Sequence, residues 1–536
     1  MEVLDSHRPP AGAFPSGGEA GLAPHPGSQS MPRWNLGELP EAPEFKWRSL
    51  WHFLGPGLLM GGSAIGGGEW LVGPIVTARY GGGLLWLATI SILCQVIYNI
   101  EISRYTLYTG EPIFTGKFRT LPGPMFWVVV YLALDFGTLF PYLAASAATP
   151  VAAVWLGHIP DVQVAAEMRL LKGLGVTVFL FCLLPLIFGG KIYNCLKAIM
   201  TFKIFTVMGF LLFLAVFYSH LSTWTEIFSG FFKFGTIPVG DKADNELGNI
   251  FVDLFQGRAF PAVELSMVAF LSSLVAISGQ GGLSNTPISN YTRDQGWGMG
   301  AHVGAIPSLV GGHNLQLSHV GTVFQVTAES LPRWKQWVTH IQRDQWVLWF
   351  PACFFGLALP SMLSVEFLPR GGEVDGWVAA GMTANAVQAR VGGQLGHLCW
   401  YMTLLCGLLV LAPTMASTID GYVRRWVDVF WTSSKTLRAL DTKMIKHVYF
   451  WVLFAYAVLG VILLVAIEKP TRLLNIAGNF YNVAFGFSCW HVAVINTYLL
   501  PRALRPGWFV RSFLIVSGFF FWSIATVSFW QMWKTW

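Results

Sequence analysis

Apolar stretches of roughly twenty residues, the helix length that crosses a bilayer, follow one another from residue 52 almost to the end of the chain. The pattern predicts eleven spans, near 52–77, 84–107, 124–155, 170–189, 194–219, 264–289, 344–364, 396–420, 448–467, 473–500 and 508–531. Longer connections are expected at 220–263, 290–343, 365–395 and 421–447. Two spans are interrupted. The first begins Gly55-Pro56-Gly57 and carries Gly66-Gly67-Gly68-Glu69-Trp70 at its middle; the sixth passes through Ser278-Gly279-Gln280-Gly281-Gly282. Each glycine weakens a helix by about 1 kcal/mol relative to alanine. Backbone freed from a helix inside a bilayer persists only where protein or a water-filled cavity satisfies it. Breaks at matching places in two halves of a chain point to a transporter's binding site at the membrane midplane.

Ten of the spans divide into two groups of five, and an odd number inverts the second group. The first and sixth spans then occupy equivalent, oppositely oriented places. This resembles the inverted five-plus-five repeat of the LeuT-type fold, with repeats at about 52–220 and 264–500 and an extra helix at about 508–531. The expected fold class is therefore an all-α polytopic membrane protein, with one transmembrane domain over 45–536. Residues 1–44 hold eight Pro and six Gly, and such composition predicts a disordered cytoplasmic tail. The tail lacks the basic and apolar regions of a secretory signal peptide.

Composition agrees with the span count. The 536 residues are 54% hydrophobic and only 12% charged, about half the charge of soluble domains. Lys and Arg favour the loops on the N-terminal side by roughly two to one, which predicts a cytoplasmic N-terminus and an external C-terminus in a cell membrane. No basic stripe interleaved with aromatics is present, so nucleic acid is not an expected partner. The seven cysteines stand singly in apolar stretches and indicate neither disulfides nor zinc.

Residues 52–116 resemble the opening of Nramp-type divalent-metal transporters. The match covers Gly55-Pro56-Gly57, Trp70, Leu85-Trp86, Gln95, Arg104 and Thr109-Gly110. The resemblance implies that fold and a transported metal ion. Three departures bear on the chemistry. Where the family carries Asp-Pro-Gly-Asn at the first break, this chain has Gly66-Gly67-Gly68-Glu69. Where the family carries Met-Pro-His at the sixth span, it has Gly279-Gln280-Gly281. The acidic pair of the family's third span is missing, with Asp135 about two turns earlier. Without thioether or imidazole the candidate site is all oxygen, which suits Mg²⁺ or Mn²⁺ and equally a small polar solute.

Glu69 is the leading substrate-binding and metal-ligating residue, since a carboxylate within a span is expensive and usually faces a cavity or partner. The alternative is a cap on the half-helix that starts there. Gln280, the second metal candidate, lines the other break with Ser278, Gly279 and Gly281; these groups either coordinate substrate or satisfy the broken turn. Asp135 and Lys203 are candidate coupling residues, or a structural pair across helices. Thr414, Ser417 and Thr418 resemble the hydroxyls of a sodium site, although such hydroxyls commonly bond between membrane helices. Glu101 and Arg104 are expected to pair structurally. His302, His313, His319 and His340 in the 290–343 loop follow no metal spacing, and that loop is a candidate gate.

These features together predict a secondary carrier working by alternating access on a divalent cation, preferably Mg²⁺ or Mn²⁺, by symport with a coupling ion. The alternatives are a proton- or sodium-coupled carrier of a small organic solute, or a sensor that keeps the fold without transport. No cofactor is expected, no P-loop is present, and no nucleophile–base pair suggests an enzyme. The expected partners are the lipid bilayer, the transported cation or solute, and a proton or sodium ion.

Overall fold

The computed structural model describes residues 22–43, 56–188, 192–240, 245–306, 316–371, 376–466 and 469–535. Eight of its helices are long and apolar enough to cross a membrane. The three other predicted spans are accounted for by two interrupted segments and by the 29-residue helix Pro470–Tyr498. The last carries buried Asn479, Asn482, His491 and Asn496 on its inner face, which lowers its mean hydropathy without changing its role as a rod.

The first span is a half-helix, Pro56–Ala64, then a turn at residues 65–67, a π-helical stretch Gly68–Val72 and a second half-helix, Gly73–Tyr80. The sixth is Val268–Ile277, an irregular stretch at 278–281, a 3-10 turn Gly282–Asn285 and Pro287–Asp294. The two breaks lie against each other. A Cβ on Gly68 would stand 2.1 Å from the carbonyl oxygen of Ile277, so only glycine permits this approach. Helix Trp86–Thr109 runs beside them at the centre of the molecule, its most apolar stretch 67% buried. The corresponding figure for the span Thr442–Ala466 is 28%, which places that helix at the rim, its Trp451, Ile462 and Val465 exposed.

Four expectations need correction. The third span is not one rod: Pro124–Leu134 ends in a 3-10 turn, Asp135–Leu139, before Tyr142–Leu156 resumes, because Pro141 cannot continue the ladder. The expected 421–447 loop is mostly helix, since Gly393–Ser433 runs 41 residues; its charges at 420, 424, 425 and 428 are buried inside the protein rather than in a loop. The seventh span starts well before 344, as Ser330–Arg343 continues through a π turn, Asp344–Trp349, into Phe350–Phe367. Finally, the part of the expected disordered tail that is described, 22–43, is folded onto the body. Short strands Leu22–Ala23 and Trp34–Leu36 pair antiparallel, and the second pairs parallel with Thr322–Val323. Met31, Trp34 and Leu39 are buried, and these anchors among the prolines provide the apolar burial that composition alone concealed. Residues 1–21 lie outside the described residues.

Candidate functional site

Glu69 sits at the meeting of the two breaks and is fully buried. One carboxylate oxygen accepts from the Gly66 amide at 2.9 Å and the other from the Gly279 amide at 2.8 Å. The side chain thus closes the turn of its own span and ties it to the opposite one. Both proposed roles are compatible with this geometry: each oxygen keeps one lone pair beyond its amide bond. Gly279 holds φ +101°, a conformation that strains any side chain, and a Cβ there would meet the Gln95 side chain at 2.9 Å.

The second break is pinned from the neighbouring span. Gln95 donates to Ser278 O at 2.8 Å and accepts from the Gln280 amide at 2.8 Å and from Asn285 at 3.0 Å. One amide side chain thereby satisfies the backbone that the break exposes, as a bilayer interior requires. Gln280 itself donates through Nε2 to Met60 O at 3.1 Å, reaching the first half-helix. The Ser278 hydroxyl turns back onto Leu274 O at 2.5 Å, so it serves its own helix end rather than the space between the breaks.

Lys203 and Asp135 do not form the pair considered from the sequence. Lys203 donates to Thr414 Oγ1 at 2.6 Å and Val410 O at 3.0 Å and lies within electrostatic reach of Glu69. Asp135 is instead bound by Arg425 at 2.8 Å, by Trp426 Nε1 at 3.1 Å and by Thr138 Oγ1 at 2.8 Å. The bend at residues 135–141 carries Asp135 toward the long Gly393–Ser433 helix, where the guanidinium waits.

The three hydroxyls of the sodium expectation part company. Thr414 Oγ1 stands 3.3 Å from both Ser63 O and Ile65 O, at the first break. Ser417 bonds instead with the Tyr291 hydroxyl, and Thr418 with Thr414 O at 2.9 Å. The ammonium of Lys203 therefore occupies the position beside Thr414.

Other candidates fall where packing places them. Glu101 and Arg104 pair at 2.9 Å, with Asn496 bonded to the same carboxylate. His302 bonds Glu38 O, His319 stacks on Trp431, and His340 packs on Trp297; His313 lies outside the described residues. No group of three His, Cys, Asp or Glu side chains able to hold a metal occurs among the described residues.

The sequence reading missed one buried network altogether. Arg424 bonds Asp420 at 2.6 Å and Asp294 at 2.5 Å, while Arg293 bonds Asp294 at 3.0 Å and Asp428 at 2.5 Å. Tyr291 and Tyr449 add hydrogen bonds to Asp420 at 2.8 and 2.6 Å, and Asn290 bonds Asp428. The network welds the half-helix Pro287–Asp294 to the Gly393–Ser433 helix. Its signal was present as acid, base, acid at 420, 424 and 428, one face of a helix by spacing. A second missed residue, Asp344, accepts from the Gly57 amide at 2.7 Å and caps the first half-helix.

No family model matches the chain, and no curated protein matches it. Among solved structures it is similar to the manganese transporter of Eremococcus coleocola, in complex with an aromatic bis-isothiourea substituted compound. That likeness has 14% identity and a TM-score of 0.58, over 91% of this chain and 88% of the other. MhsT in complex with L-phenylalanine is similar at 12% identity and a TM-score of 0.46, over 91% of this chain and 99% of that one. With its broken first and sixth spans, the chain shares the fold of an Nramp-like manganese transporter.

Proposed function

We propose that the protein is a secondary carrier that moves a hard divalent cation by alternating access, with Glu69 as the carboxylate that meets the ion. The observation that carries this reading is a fully buried carboxylate bridging two broken spans. An ionisable group at such a place marks an ion pathway. Glu69 and Gln280 supply oxygen, and neither break offers thioether or imidazole, which favours Mg²⁺ or Mn²⁺ over softer metals. The neighbour of like fold is a manganese transporter by name, in keeping with that class of substrate. The surplus of Lys and Arg on the N-terminal side, which remains once the buried Arg424 and Arg425 are set aside, supports a cytoplasmic N-terminus.

Coupling falls to a proton on Lys203 rather than to sodium. The ammonium beside Thr414 already supplies the positive charge that a sodium ion would bring there. With the site empty, Glu69 and Lys203 compensate each other. A divalent ion at Glu69 adds two charges to a dry site, where like charges repel strongly, so ion binding and Lys203 protonation oppose each other and the coupling proposed is exchange with a proton in place of the expected symport. Asp135, fixed by Arg425, holds the bend of the third span.

The test is thermal stability of the purified protein against Mg²⁺, Mn²⁺, Ca²⁺, Zn²⁺, Na⁺ and amino acids, for wild type and Glu69→Gln. Saturable stabilisation by Mg²⁺ or Mn²⁺ that the variant lacks is expected. Stabilisation by an amino acid alone would replace the reading with a carrier of organic solutes, and ion binding without accumulation in sealed vesicles would replace it with a sensor.

A further inference from the structure

Residues 22–40 cross one face of the molecule, and five side chains from four separate places hold them by their carbonyls. Tyr498, at the end of the tenth span, donates to Pro26 O at 2.7 Å. Arg119, before the third span, donates to Pro32 O at 2.6 Å. His302, beyond the sixth, lies 2.8 Å from Glu38 O. Arg333 and Trp337, at the start of the seventh, donate to Leu39 O at 3.3 Å and Pro40 O at 2.8 Å. The strand Trp34–Leu36 adds two backbone bonds, Asn35 N to Gly321 O at 2.9 Å and Gly37 N to Val323 O at 3.0 Å. Proline keeps such a segment extended and free of internal hydrogen bonds, which leaves its carbonyls available to the body.

Trp34 is the largest of the three buried anchors in the segment. Trp34 lies under the Arg119 guanidinium, 5.0 Å from ring to carbon, edge-on to Tyr108 at 6.1 Å, and donates to Glu111 at 3.2 Å. Close fit adds to it: a Cβ on Gly27 would stand 2.0 Å from Arg119 O.

The same rod that holds the end of this segment also holds the first half-helix. Arg333 and Trp337 lie on Ser330–Arg343, and Asp344, the next residue, caps Pro56–Ala64 through the Gly57 amide. Seven residues of helix separate Trp337 from Asp344, about 10 Å along the axis. Among the described residues, the polar ties of the half-helix Pro56–Ala64 include a single charged group, Asp344, beside the Gln280–Met60 and Thr414–Ser63 bonds. Its counterpart, Pro287–Asp294, is fastened by charged bonds to the Gly393–Ser433 helix. The two half-helices are therefore unequally free, and the rod that grips the end of the segment also caps the freer one.

We propose that residues 22–40 form a releasable strap which holds this face closed, and that their detachment frees Pro56–Ala64 to swing while Pro287–Asp294 stays with the long helix. The proposal is independent of which solute is carried.

Hydrogen–deuterium exchange on the full chain tests it without measuring transport. In a variant lacking residues 1–40, and in Trp34→Ala, the amides of 57–64 should exchange about tenfold faster, the kinetic image of roughly 1.4 kcal/mol, while those of 288–294 stay as in wild type. Equal exchange in 57–64, or an even rise over both half-helices, would overturn the proposal. A converse variant, Pro26→Cys with Tyr498→Cys, covers a truncated chain that does not fold. Oxidised, it should exchange more slowly than wild type in 57–64 and recover on reduction; no difference between its two redox states would also overturn the strap.

Discussion

Glu69 is bound to two amides that belong to different spans, so its substitution has two separable effects. Glutamine keeps one carbonyl oxygen and cannot accept from both amides in the same way. The apo protein should therefore lose about 1–3 kcal/mol, the usual penalty for a buried group left without its partner. Independently, the rise in melting temperature given by Mn²⁺ or Mg²⁺ should vanish. Melting curves with and without the ion separate the two, and an ion-induced rise preserved in Glu69→Gln would refute ligation by this carboxylate. His25 makes a different kind of prediction. Burial, reinforced by the positive Arg119 nearby, pushes its pKa below the ordinary value, although Glu111 pulls the other way. Its Nε2 lies 3.2 Å from Met31 O, and its Nδ1 is buried without a partner, so the folded ring is neutral. The unfolded state then binds more protons at mildly acidic pH. Attachment of the 22–40 segment should be fully retained above pH about 6.5 and weaken as pH falls below it. Exchange of the Trp34–Leu36 amides at pH 7.5 and 5.5 checks this; His25→Asn should flatten the dependence.

At the scale of elements, the ion network between Pro287–Asp294 and Gly393–Ser433 makes the clearest prediction. Arg424→Leu leaves Asp294 and Asp420 facing each other in a dry interior, and removing one partner of a buried pair costs about 3–5 kcal/mol. A large fall in melting temperature is expected; a fall no greater than for a surface arginine such as Arg258 would show that the network is solvated. Gln95→Leu should cost about 1–3 kcal/mol by leaving Ser278 O and the Gln280 amide unpaired. What was legible in the sequence follows the same division. Span positions and both breaks could be read, because a bilayer enforces long apolar runs and glycines interrupt them visibly. The partners of charged residues could not. Asp420, Arg424 and Asp428 look like loop charges until the helix is known to continue to Ser433. Asp135 lies opposite Arg425 only because the third span bends at Pro141. The pairing of Lys203 with Thr414 joins residues 211 apart, a contact that no local pattern contains. The tail misled for the opposite reason: Met31, Trp34 and Leu39 are three anchors in a segment whose composition is that of disorder.

At the scale of the whole molecule, the proposed carrier reading rests on the two breaks, the buried Glu69 and Lys203, and the second half-helix welded to the long helix, which leaves Pro56–Ala64 the freer half-helix. The ammonium beside Thr414 predicts that a sodium gradient will leave transport unchanged and a pH gradient will alter it; the reverse dependence would place sodium, not Lys203, at that position. The most direct measurement is uptake of Mn²⁺ and Mg²⁺ into sealed proteoliposomes by wild type and Glu69→Gln at matched protein content. A carrier built on Glu69 gives saturable wild-type accumulation that falls by about tenfold or more in the variant, the equivalent of at least 1.4 kcal/mol of lost ion stabilisation. Equal accumulation of either ion by the two proteins, or none by wild type, would contradict it.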